Sequence, residues 1–221
     1  AAAGHTISAG LRYDESSRLL SRRQLSPRAG VAYRIGDGTV ARASVSRFFQ
    51  PPQPENLLLA SSENARVLSP FADDDEEGGA DVEPERQWGF EAGINQGIGR
   101  LLRLDVAAWY RAVENVADPN VFAGTTIIFP NAVASGRAGG VDARLELSGN
   151  QWSGYLNAAI GRVRQNGPIV GGLFLEDEVE ELADGDEFVP DHDQLIAVSS
   201  GLVWRHQRSR ASVSATVRYE S

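Results

Sequence analysis

The sequence predicts an all-β protein, an antiparallel transmembrane β-barrel segment contributing about 9–10 strands to a larger barrel. One observation is a period-two alternation that returns in segment after segment. In Leu102-Arg103-Leu104-Asp105-Val106-Ala107-Ala108-Trp109-Tyr110-Arg111 the even positions are small, apolar or aromatic, while the odd ones include Arg103, Asp105 and Arg111. Val141-Asp142-Ala143-Arg144-Leu145-Glu146-Leu147 repeats the pattern without exception. Successive strand side chains point to opposite faces, so each segment has one greasy and one charged face. A soluble sandwich turns the charged face to bulk water, whereas an outer-membrane barrel turns it to a wet lumen and gives the apolar face to lipid. A second observation decides against helical spanning. The longest apolar runs, such as Thr125-Thr126-Ile127-Ile128-Phe129, fall far short of the roughly 20 residues a membrane helix needs, while a barrel strand needs only about 9–11.

The third observation is the sorting of the connections. Strand-like segments fall near 5–14, 27–35, 39–49, 86–98, 101–115, 137–148, 152–164, 194–206 and 210–220. Gly36-Asp37-Gly38 folds the second onto the third, and Gly97-Ile98-Gly99-Arg100 the fourth onto the fifth. Ser148-Gly149-Asn150 and Gln207-Arg208-Ser209 close the remaining tight hairpins. Between these lie long connections over about 15–26, 50–85, 116–136 and 165–193. Short turns at one end and long loops at the other match periplasmic turns and extracellular loops. The aromatics fit that orientation, with Trp152 and Trp204 at the periplasmic ends and Tyr13, Trp88 and Tyr219 near the outer ends, all on the apolar face. Nine strands, starting on the turn side at His5 and ending on the loop side at Glu220, would leave a closed ring with parallel first and last members. They read as a section of a larger barrel, with a tenth strand able to hide around Val121–Phe129.

Composition narrows the function. The 221 residues suffice for one large all-β unit or two small domains, and the net charge of -9 argues against a nucleic-acid partner, which needs a basic stripe. All 21 basic side chains are arginine, which reads as codon bias in a GC-rich genome. The absence of cysteine excludes disulfides, thiolate nucleophiles and Cys-type zinc sites. Ala1-Ala2-Ala3-Gly4 lacks the charged start and apolar core of a signal peptide, so we expect it to have been removed or the chain to begin inside a longer one.

Specific residues go further than periodicity. Gly10-Leu11-Arg12-Tyr13-Asp14, Leu25-Ser26-Pro27-Arg28-Ala29-Gly30-Val31-Ala32-Tyr33 and Arg42-Ala43-Ser44-Val45-Ser46-Arg47-Phe48-Phe49-Gln50-Pro51-Pro52 follow one another as in the barrels of TonB-dependent receptors. Pro84-Glu85-Arg86, with Trp88, Glu91 and Gly93, resembles that family's strand-opening element, and Asp191-His192-Asp193-Gln194 its motif for re-entering the barrel after a long outer loop. The chain therefore resembles a TonB-dependent receptor, of the kind with a carboxypeptidase-regulatory-like extension. The resemblance implies a 22-stranded barrel with a plug and a TonB box. Nothing here looks like either, and the usual last strand with its terminal aromatic is missing, so residues 1–221 read as a middle to C-terminal portion of the barrel with no plug domain. It also implies a bacterial outer-membrane receptor that binds a scarce small solute at extracellular loops and admits it to the periplasm. The partners would be outer-membrane lipid, the missing plug and remaining strands, and a TonB-type energy-coupling protein reached through the missing part. A structural or adhesive outer-membrane barrel without transport is the alternative.

No catalytic constellation is present, and no enzyme is expected. His5, His192 and His206 sit on separate segments, so neither a triad nor a zinc cluster follows. His192 reads as part of a loop-to-strand cap whose polar side chains bond local backbone. Two acidic runs, one holding Asp73, Asp74, Asp75 and Glu76 and the other Asp184 and Asp186, offer hard oxygen ligands at a density that suits calcium, the only cofactor we entertain. Neither has helix-loop-helix spacing, and the bland reading is solvated acidic loops that repel themselves into extended forms. Arg42, Glu91, Arg103, Asp105, Arg111, Asp142, Arg144 and Glu146 are expected to form a polar lumen wall rather than a binding site.

Overall fold

The computed structural model describes residues 4–17, 21–52, 83–121, 128–171, 187–190 and 193–221. Within them a single antiparallel sheet carries everything. Its strands are β1 (His5–Ser16), β2 (Arg22–Gly36), β3 (Thr39–Gln50), β4 (Glu85–Ile98), β5 (Leu102–Val121), β6 (Ile128–Ser148), β7 (Trp152–Gly171), β8 (Glu187–Phe188), β9 (Ile196–His206) and β10 (Ala211–Glu220). The spatial order is β1-β2-β3-β4-β5-β6-β7-β9-β10, a meander in which β8 pairs β7 off the main path. Each long strand therefore pairs with its nearest neighbour in sequence, the arrangement that tight hairpins enforce.

The four expected hairpin turns are all present between the strands they were expected to join. Gly99 takes φ 63°, a left-handed conformation that costs glycine little, and Arg210 adopts φ 56° in the last turn without that advantage. The strand ends on the other side differ from the sequence reading. β2 begins at Arg22 rather than 27, β5 runs to Val121 rather than 115, β6 starts at Ile128 rather than 137, and β7 continues to Gly171 rather than 164. The stretch from Val121 to Phe129, expected to hide a further strand, contributes the end of β5 and the start of β6, where Val121 opposes Ile128.

The cause is a separation of two signals. Backbone pairing continues wherever N–H and C=O groups can satisfy each other, but alternation persists only where one face must be apolar. β5, β6 and β7, at 20, 21 and 20 residues, are about twice the length a bilayer crossing requires. Their far halves pair without needing a greasy face. Pro119 opposes Pro130 where, among the described residues, β5 and β6 pair only with each other, so a missing N–H costs little there.

The sheet has almost no conventional core. Among the described residues the buried apolar side chains are Phe49, Pro84, Ala107, Ala132 and Val133, while Ile7 is 73% and Val217 67% exposed. Burial is absent because a lone sheet has no second layer, so its apolar face needs a different solvent.

Candidate functional site

Register makes the sheet two-faced from end to end. Residues directly opposite across an antiparallel pair share a face. Starting from Asp105, the pairs Asn95↔Asp105 and Asp105↔Arg144 carry one face across β4, β5 and β6, and Arg144↔Asn157 and Asn157↔Ser199 extend it to β9. Arg42↔Gly93 and Gly93↔Ala107 bring β3 onto it. All eight of Arg42, Glu91, Arg103, Asp105, Arg111, Asp142, Arg144 and Glu146 fall on this polar face.

The opposite face collects the exposed apolar side chains: Ile7, Leu11, Val31, Ile94, Val141, Leu156, Ile160, Leu202, Val213 and Val217. Its aromatics fall into two tiers. Trp152 opposes Trp204 beside the short turns, with ring centroids 6.4 Å apart. Tyr13, Trp88, Phe90, Tyr110 and Tyr219 lie toward the other ends of their strands, Phe90 6.5 Å from both Trp88 and Tyr110.

On the polar face the centre of charge is Asp105. Arg42 donates from both terminal nitrogens to its two oxygens at 2.8 Å, Asn95 Nδ2 adds a bond at 2.9 Å, and Arg42 Nε reaches Glu91 at 3.2 Å. A carboxylate that accepts three bonds from a fork and an amide is held in one orientation. Arg144 pairs with Glu146 at 2.6 Å on its own strand, whereas Arg42 reaches Asp105 across β4.

Gly93 makes the Arg42–Asp105 link possible. β4 lies between β3 and β5, and a Cβ at position 93 would stand 3.0 Å from Arg42 Cζ and 2.9 Å from the Val106 carbonyl. The same device recurs. Trp109 lies over Gly140 and Gly161 on the next two strands, where a Cβ on Gly140 would come within 2.8 Å of the indole, and Tyr155 lies over Gly201, where a Cβ would come within 2.6 Å of the ring. Long inward side chains are laid flat on glycine, with Arg111 stacked 5.4 Å from the Trp109 ring. This keeps the polar face open. A hollow of about 870 Å³ is lined by Asp105, Asp142, Arg144, Tyr155, Asn157 and Arg218 among others, from five strands.

Sequence reasoning overlooked Trp109, Asn95, Tyr155 and the glycine slots. The parity of the alternation already assigned Trp109 to the charged face. The glycine that accepts it lies on another strand, visible only through register.

At the outer rim, Pro84 is buried, its carbonyl accepts from Asn115 Nδ2 at 3.3 Å, and Glu85 accepts from the Ala117 amide at 3.2 Å. Asn115 sits at φ 55° where β5 passes beyond β4, a conformation asparagine tolerates. The Pro84-Glu85 element is thus a clamp holding the start of β4 to β5. Glu83 receives Arg22 Nε at 2.8 Å, and that hydrogen bond holds its carboxyl below the ordinary range. Glu187 on β8 pairs with both Arg164 and Arg137; the bond from Arg164 lowers its pKa most. Asp193 Oδ1 accepts the Val163 amide at 3.2 Å, a bond across 30 residues of chain to an amide of β7 beyond Ile160, its last residue paired with β9.

His192 lies outside the described residues, as do Asp73, Asp74, Asp75, Glu76, Asp184 and Asp186. Among the described residues no three His, Asp or Glu side chains are grouped to hold a metal.

A meander whose continuous apolar face opposes a polar, hollowed one is the wall of a β-barrel that separates lipid from a wet interior. The chain belongs to the TonB dependent receptor-like, beta-barrel family, whose model matches residues 3–219. Solved structures of similar fold include the copper transporter OprC (TM-score 0.64, 14% identity, 97% of this chain and 32% of that one). Others are the FrpB iron transporter of Neisseria meningitidis, F3-3 variant (0.62, 13%, 97% and 30%), and the alcaligin outer-membrane receptor FauA of Bordetella pertussis (0.58, 18%, 99% and 34%). The chain spans about a third of the length of these proteins. No curated protein sequence matches it.

Proposed function

We propose that this chain is part of the wall of an outer-membrane, TonB-dependent transport barrel in a bacterial envelope. The apolar face meets lipid and the polar face lines the lumen. The observation that carries this reading is the register: one parity of the long strands collects the exposed apolar side chains apart from Phe48 and Tyr155, and the other collects Arg42, Glu91, Arg103, Asp105, Arg111, Asp142, Arg144 and Glu146. The polar wall seats a plug domain and hydrates a path for a small solute first captured by the extracellular loops, and a TonB-type protein supplies the energy. Transporters and a receptor among the similar folds support this class of activity. The mixed charge of the wall favours no particular solute.

These 221 residues contain no cysteine, so once any cysteine elsewhere in the full-length protein is replaced by serine, single cysteines placed here report orientation without background. In outer membranes carrying the full-length protein, Val106→Cys and Val141→Cys should react only with a lipid-phase maleimide. Arg103→Cys and Asp142→Cys should react with a water-soluble one. Solute uptake should in turn collapse when the proton gradient is discharged. The reverse labelling pattern overturns the assignment of faces, and uptake that survives discharge overturns energy coupling.

A further inference from the structure

The apolar face is not apolar to its outer edge. At and beyond the outer tier of aromatics, the same parity that carries Leu25, Phe90 and Val141 carries Arg23, Arg47, Arg86, Arg137, Arg162 and Arg164, against three described carboxylates, Glu15, Glu114 and Glu187. In a chain of net charge -9 this outward enrichment in arginine is local. Three of these arginines surround a depression of about 340 Å³ on the outward face, floored by Ala112 and walled by Arg47, Trp88, Arg86, Glu114, Ser135 and Arg137. Arg47 lies with its guanidinium carbon 5.4 Å from the Trp88 ring, and its Nε is buried with no hydrogen-bond partner among the described residues. Arg137 is engaged by Glu187 and Arg86 lies within electrostatic reach of Glu83, whereas Arg47 has no described ion pair.

We infer that this depression binds the phosphate of an outer-leaflet lipid headgroup. Guanidinium forks match phosphate oxygens in a way that ammonium groups do not. A headgroup phosphate seated between Arg47 and Arg86 would balance the charge that Glu114 alone does not. Trp88 and Tyr110, both lining the depression, set its depth at the boundary where aromatic rings settle between hydrocarbon and water. A soluble anion has no reason to sit there, because the site opens sideways on the apolar face, continuous with Phe90 and Ile94, where an acyl chain would run.

The inference rests on the outward orientation of that face. Its test carries its own orientation control, the reactivity of Val106→Cys toward a lipid-phase maleimide in the same preparation. The full-length protein is reconstituted in phosphatidylcholine vesicles with and without phosphatidic acid, and lipid retained through detergent extraction is measured by native mass spectrometry. Phosphatidic acid should be retained in preference to phosphatidylcholine. The Arg47→Gln, Arg86→Gln double variant should lower that preference at least about tenfold, as follows from losing one charge-assisted hydrogen bond or more. Arg208→Gln, in the turn at the opposite end, should leave it unchanged. Retention unaffected by the double variant, or displaced by millimolar inorganic phosphate, overturns the lipid site. Lipid-phase labelling lost at position 106 points instead to the failure of the barrel reading itself.

Discussion

Arg42 on β3 and Asp105 on β5 are joined by two parallel 2.8 Å hydrogen bonds across the intervening strand, over a residue with no side chain, Gly93. Neither partner is more than a third exposed. The link ties three strands together on the polar face independently of the backbone ladder. It also removes two charges from the open interior by pairing them flat against the wall.

Gly93→Val should break this link without replacing either partner, because its Cβ alone would meet Arg42 Cζ at 3.0 Å and the Val106 carbonyl at 2.9 Å. We expect a loss of about 1–3 kcal/mol, the usual cost of overpacking. Urea unfolding of the full-length barrel in detergent measures it. Asp105→Asn keeps the shape but removes the charge, and should cost about 1.5–3 kcal/mol through the hydrogen bonds to the ion. Combined with Arg42→Gln it should cost less than the sum of the two, since each single variant leaves the other partner unmatched.

Placing a charge on the apolar face should be far more costly than on the polar one. Val141→Arg is expected to lose about 2–4 kcal/mol of folding free energy in vesicles, the value for arginine at mid-bilayer, while Ser44→Arg on the polar face should change stability by less than about 1 kcal/mol. Equal costs would remove the distinction between the faces.

The outer rim should loosen in acid. The Arg22 hydrogen bond holds the Glu83 carboxyl below its ordinary value, and Arg164 does the same for Glu187. A folded pKa below the unfolded one means that the stabilisation is fully present above the unfolded carboxylate pKa of about 4.3 and fades as pH falls through the lower, folded value. Limited proteolysis near residues 83 and 187 should therefore be slow at neutral pH and accelerate below about pH 4. Glu83→Gln should make cleavage near residue 83 fast at every pH.

Residues 1–221 folded alone should associate. Among the described residues β1 and β10 each pair on one side only, and an unpaired strand edge recruits another. Light scattering in detergent should show oligomers, and Thr216→Pro on β10 should reduce them by removing an edge N–H. Uniform small single-channel conductance from monomers in planar bilayers would contradict this.

The nine long strands, their order and the assignment of the eight charged residues to one parity were legible in the sequence, whereas the two-residue β8 lay in a stretch read as loop. Each depends on local rules: alternation has a fixed period of two, and tight turns pair each strand with the next. The glycine slots were not legible, because Gly93 matters to Arg42 only through a register that spaces them 51 positions apart in the chain. Strand ends were misread for a related reason, since beyond the lipid neither face is constrained and the alternation stops while the ladder does not.

The sequence by itself thus determined what depends on near neighbours: an all-β meander, its two-faced strands, the turns at one end and the likeness to TonB-dependent receptors. The tertiary structure decided what depends on distance in the chain: that Arg42 reaches Asp105, that Trp109 lies on Gly140, that Pro84 is clamped by Asn115, and that Arg47, Arg86 and Arg137 converge on one depression. A strand pattern specifies which way each side chain points. Only the alignment of one strand against the next specifies what it meets there.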